Sequence, residues 1–165
     1  MINQFDKFFS ELNESYEKKE TIKWVDNNHL IGLFIVSNIV YKIQCIPYDN
    51  NIWSYKFMRY NNQTNTFDLN LIKTDWKDKM TILSTIRSGM DYLINNKNPN
   101  GLIFAALDSS DGRKKLYETY SNEIVNNYNY KLEKNLFEDK LIFILYKNIA
   151  INLVIDVIED MISEI

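Results

Sequence analysis

The chain is short of the residues that most often carry chemistry. Cys45 is its only cysteine and His29 its only histidine, and four glycines and two prolines serve 165 residues. One cysteine excludes an intramolecular disulfide and a cysteine-based zinc site. Cys45 falls in an apolar strand pattern, where a small buried thiol is expected rather than a reactive one. One histidine leaves no His-x-x-x-His or similar metal spacing, and defines no Ser/His/Asp set. No Walker loop and no Gly-x-Gly-x-x-Gly is present. Nor is there an apolar run long enough to span a bilayer. The first residues, Met1 to Lys7, lack a basic start followed by an apolar stretch. The expectation is therefore no signal peptide and a cytoplasmic location.

Basic charge is not in excess either. The net charge is −3 and the pI is about 5.2, which argues against a broad grip on nucleic acid. The densest basic group, Arg113-Lys114-Lys115, opens an expected helix, as a solvated first turn or a phosphate contact. Trp53, Tyr55 and Phe57 could stack bases, but the acidic balance favours packing in the core. Glu159-Asp160 falls on the polar side of a helix, where a solvated pair is expected.

What is present is enough for a core. Hydrophobic residues make up 45% of the chain, and a chain of this length buries roughly 70% of its unfolded surface. A single domain over 1–165 is expected, with an N-terminal helix at 1–20, a core at 30–147 and a C-terminal helix at 149–165. Phe5, Phe8, Phe9, Leu12 and Tyr16 share one helical face. Strands are expected at Leu30–Val36, Ile39–Ile46, Ile52–Tyr60 and Phe67–Lys73, with Pro47 ending the second. The period then changes. Trp76, Met80, Leu83, Ile86, Met90 and Leu93 trace a helix that Thr74 or Asp75 caps and Asn98-Pro99-Asn100-Gly101 stops. Leu102–Leu107 is apolar on both faces, as in a central strand covered on both sides. Strand, helix and buried strand in series imply a parallel crossover. Leu116, Tyr120 and Ile124 mark the next helix, with Tyr117 beside the stripe. Strands follow at Tyr128–Leu132 and within Asp139–Lys147. Ile151, Val154, Ile155, Ile158, Met161, Ile162 and Ile165 then form one side of a final helix, widened by Leu153 and Val157. The expected class is α/β (α+β): a mixed, mostly antiparallel sheet flanked by helices, with extra amphipathic helices at both ends.

This order resembles the fold of the GCN5-related N-acetyltransferase (GNAT) family over Leu30 to Lys147. The segments that carry the resemblance are Gly101–Leu107, Gly112-Arg113-Lys114-Lys115-Leu116-Tyr117 and Tyr128–Leu132. They look like the family's fifth strand, the following helix and the entry to the sixth strand. The chain is also similar to small phage-encoded acetyltransferase-like proteins of unassigned role. The resemblance implies acetyl-coenzyme A as cofactor, an acid for the departing thiolate at Tyr117, and a loop whose bare amides bind the pyrophosphate.

The chain departs from that pattern where the cofactor would sit. Lys73-Thr74-Asp75-Trp76-Lys77-Asp78-Lys79 has no glycine, and Asp75 and Asp78 occupy the first turn. Those carboxylates answer the helix dipole themselves and repel a pyrophosphate; Lys73, Lys77 and Lys79 offset this in part. Lys77 and Lys79 are the cofactor contacts expected if acetyl-coenzyme A binds. The expectation is no cofactor, and a non-catalytic protein that acts through a protein partner or through self-association by the C-terminal helix. It would be a component of a phage particle or infection complex. An active N-acyltransferase is the alternative. No metal site and no membrane contact are expected. The C-terminal helix either covers the sheet or docks on another subunit.

Overall fold

The computed structural model describes residues 19–26, 30–68, 76–107 and 111–163. The expected helix at 1–20, apart from its last two residues, lies outside them. So do His29, all but the first two residues of the fourth expected strand, Thr74 and Asp75.

Eight strands form one mixed sheet: β1 (Lys23–Asp26), β2 (Leu30–Val36), β3 (Ile39–Tyr48), β4 (Ile52–Asn61), β5 (Thr66–Asp68), β6 (Gly101–Leu107), β7 (Lys131–Phe137) and β8 (Lys140–Tyr146). Three helices accompany them: α1 (Trp76–Lys97), α2 (Asp111–Tyr128) and α3 (Ile151–Ser163). The sheet order is β1-β2-β3-β4-β6-β8-β7, with β5 paired to β4. Ladders β1–β2, β2–β3, β4–β5, β6–β8 and β7–β8 are antiparallel. The β4–β6 ladder is parallel, as the intervening helix requires, and covers three residue pairs, from Ile52↔Gly101 to Ser54↔Ile103.

Asparagine makes the turns that glycine usually makes. Nine described non-glycine residues have positive φ, and seven of them are Asn. A short side chain that hydrogen-bonds locally lowers the cost of the left-handed region. Ser37 and Asn38, both at positive φ, close a two-residue hairpin between Val36 and Ile39, the geometry that matches strand twist. Asn129, at φ 61°, ends α2. The helix therefore runs to Tyr128, and β7 starts at Lys131 rather than at Tyr128.

Among the described residues the chain forms two compact units. The first holds those up to Cys45 together with Lys56–Asn96; the second holds Ile46–Tyr55 together with Lys97 onward.

In the first unit β2 alternates. Leu30, Gly32, Phe34 and Val36 are buried, while Ile35 is exposed. The apolar run thus covers one face, although both faces read as apolar. Phe34 stacks on Tyr41, its partner across the β2–β3 ladder. A methyl group on Gly32 would lie 2.6 Å from Ile22 Cγ2 and 3.1 Å from the Trp24 ring, so the close approach of Ile22 and Trp24 requires glycine here. Trp24 stacks on Tyr92 of α1, and the Glu20 N–H donates to Thr85 Oγ1 at 2.9 Å. Cys45 is buried, and burial pushes its thiol pKa up.

In the second unit β6 has helices on both faces. Ile103 lies opposite Ile144, and Ala105 opposite Ile142. This side packs with Ile52 against Val154, Val157 and Ile158 of α3. One residue along, Leu102 faces Leu145 and Phe104 faces Phe143, and Tyr117 of α2 packs on both phenylalanine rings. The period of two therefore sends alternate residues of one apolar strand into two cores. The apolar side of α3 is spent on its own sheet, the first of the two options open to it.

The start of β6 is held by a polar lock. Asn50 and Asn51 are both left-handed. Asn51 Nδ2 donates to the carbonyls of Lys97 and Asn98 at 3.1 and 2.9 Å, and its Oδ1 accepts from Trp53 Nε1 at 2.8 Å. Asn100 donates its N–H to the Asn51 carbonyl and its Nδ2 to that of Asn50. The Tyr130 hydroxyl donates to the Pro99 carbonyl, and Lys147 Nζ to Asn98 Oδ1. The segment 98–100 is therefore cross-linked to three other parts of the unit.

Candidate functional site

Tyr117 lies in the second unit. The apolar stripe of α2, Leu116, Tyr120 and Ile124, is buried, and Tyr117 is buried with it at 1% exposure. Its ring sits 4.9 Å from Phe104 and 5.8 Å from Phe143, centroid to centroid. Burial pushes its pKa up to about 12, with the charge of Arg113 pulling the other way. The hydroxyl is therefore neutral across the physiological range. A proton donor must also lie within hydrogen-bond reach of the group it serves. At 1% exposure no substrate atom can meet this hydroxyl without opening the packing of α2 on β6 and β8.

Lys77 and Lys79 belong to the first turn of α1, in the first unit. Lys79 is exposed; the Lys77 side chain is outside the described atoms. Tyr117 and these lysines thus belong to different units. Asp78, in the same turn, is half-buried, and its charge raises the pKa of Tyr41. Burial is the larger cause of that rise, and Arg59 opposes it both by charge and by a hydrogen bond to the Tyr41 hydroxyl. The acidic first turn expected from the sequence is thus present at Asp78.

Sequence reasoning passed over Arg59. It stands in β4, where Phe57 and Tyr55, two and four residues back, are buried. Nε and Nη1 of Arg59 are themselves buried and, among the described residues, meet no hydrogen-bond acceptor. The signal was available. An arginine at an odd-numbered position of a strand whose preceding odd-numbered positions are all aromatic is a charge placed on a core face.

Among the described residues, no group of three or more His, Cys, Asp or Glu side chains is arranged to hold a metal ion. No helix of these residues is long and apolar enough to cross a membrane. Comparison with protein-family models, with curated proteins and with solved structures gives no match.

Proposed function

We propose that this chain is a non-catalytic, acetyltransferase-like protein that acts by contact with protein partners, with a phage particle or infection complex as the setting that fits its composition and resemblance. The observation that carries the reading is the burial of Tyr117, the one candidate acid, among Phe104 and Phe143. The succession of strands, helix, central strand, helix and strand pair supports the GNAT-like part, as does the parallel pairing of β4 with β6. The carboxylate of Asp78 in the first turn of α1 supports the absence of a coenzyme A pyrophosphate there.

Contact surfaces must come from what the core leaves over. On α3 that is Leu153, 39% exposed, and on β7 it is Leu136, 59% exposed. Both are single apolar side chains, and self-association through α3 would use its outer side rather than the stripe already packed on β6 and β8.

Two measurements test the reading. Calorimetric titration of acetyl-coenzyme A is expected to give no saturable heat; micromolar binding would favour the active N-acyltransferase, with Lys77 and Lys79 as anion contacts. Light scattering across a concentration series, repeated with Leu153→Asp, tests self-association. A mass above one chain that falls in the variant supports α3 as the contact, and an unchanged monomer in both removes self-association.

A further inference from the structure

In the first unit α1 is buried on a side where a helix lying on a sheet is normally wet. Its core stripe, Leu83, Ile86 and Met90, is fully buried. Thr81, Ser84, Thr85 and Ser88 follow the spacing of three and four along another face. At about 100° per residue, Ser84 and Ser88 stand about 160° round from Ile86. Such a far side is expected to be polar and exposed. Yet Ser84 and Thr85 are fully buried, and Thr81 and Ser88 are half-buried. One turn on, Tyr92, Asn95 and Asn96 are exposed. The cover therefore lies over 81–88 and stops short of Tyr92.

The covered face is apolar in what it presents. Thr85 Oγ1 donates to the Thr81 carbonyl and Ser88 Oγ to that of Thr85, each at 2.7 Å. Hydroxyls turned back onto their own helix leave methyl and methylene groups outermost. Small side chains also let a second helix approach closely. One polar atom is left over. Ser84 Oγ is buried and has no hydrogen-bond partner among the described residues, whereas a buried hydroxyl is almost always paired.

We propose that this face is the seat of residues 1–18 of the same chain. The Glu20 N–H donates to Thr85 Oγ1 at 2.9 Å, so the segment ends two residues from the face it covers. As a helix, 1–18 reaches about 27 Å, against about 11 Å for 81–88. Phe5, Phe8, Phe9, Leu12 and Tyr16 share one helical face, and large rings fill a shallow groove of small residues. A link this short gives the segment an effective concentration of about millimolar, which favours it over the same segment of a second copy. The seated stripe is then lost to outside partners. The inference stands apart from the fate of Tyr117, which belongs to the other unit.

The test is a nuclear Overhauser spectrum of the full chain, labelled at its threonine methyls and aromatic rings. Contacts are expected from rings of Phe5, Phe8, Phe9 or Tyr16 to the Thr81 and Thr85 methyls. In an equal mixture of labelled and unlabelled chains, the same contacts should be absent from the isotope-filtered spectrum. Phe9→Ala is expected to speed amide exchange over 5–16 about tenfold, the effect of one ring removed from a buried contact. No contact from 1–18 to these methyls would overturn the proposal, and so would unchanged exchange in Phe9→Ala. Contacts between chains in the filtered spectrum would overturn it in favour of a second copy.

Discussion

Truncating Ile158 to alanine removes three carbons from the centre of the α3 interface. Ile158 is fully buried, and its cluster includes Ile52, Ile103, Ile142 and Ile144. Those neighbours belong to strands held by their ladders, so the site collapses little. Loss of transfer energy plus an unfilled cavity should cost about 3.5 kcal/mol. That is a large part of the roughly 5–15 kcal/mol that holds a domain of this kind together. With a urea m-value of about 2 kcal/mol/M, the unfolding midpoint should fall by about 1.7 M. Leu153→Ala, on the same helix but 39% exposed, should cost less than about 1 kcal/mol. A midpoint for Ile158→Ala within experimental error of the parent would refute the reasoning. So would a Leu153→Ala cost larger than that of Ile158→Ala.

Three further outcomes follow from particular residues. The Tyr117 pKa lies at about 12 in the fold, against about 10 unfolded. Its contribution is therefore complete below pH 10 and is lost as pH rises from 10 to 12. The loss is roughly 2–3 kcal/mol, and Tyr117→Phe should flatten that limb of the stability curve by one proton. Glu138 holds φ at 55° in the β7–β8 turn, so Glu138→Gly should raise stability by about 1 kcal/mol in thermal unfolding. Arg87, 4% exposed, pairs with Asp91 at 2.7 Å, and Asp91→Ala should cost about 2 kcal/mol in the same assay because it leaves a buried charge short of a partner.

The helices were legible because each carries a stripe. Met80, Leu83, Ile86, Met90 and Leu93 recur at helical spacing and are all buried. The central strand was legible from its unbroken apolar run, and the parallel crossover from the order of elements. β1 was not, since Lys23-Trp24-Val25-Asp26 has two apolar residues and no period; pairing to β2 and the Trp24–Tyr92 stack define it. Pro47 did not end β3. The strand runs through it to Tyr48. The number of asparagines finds its reason only in the backbone, for Asn38, Asn50, Asn51 and Asn129 sit where it turns left-handed. A pattern also shows that α3 has an apolar side without showing what covers it. That depends on Ile103 and Ile144 sharing a face, a register between strands about forty residues apart.

For the candidate site, the missing glycine and the acidic first turn were legible in the chain itself. The depth of Tyr117 was not, because a tyrosine beside a stripe can lie on either side of the boundary with solvent. Arg59 went unseen because alternation was read for its aromatic members and not for the charge among them.

The sealed Tyr117 hydroxyl is the claim on which the proposed absence of acyl transfer rests. Release of free thiol from acetyl-coenzyme A, followed in the presence of the chain and a mixture of primary amines, measures it directly. The rate is expected to equal that of the blank, for the parent and for Tyr117→Phe alike. Thiol release that depends on the chain and disappears in Tyr117→Phe would contradict it.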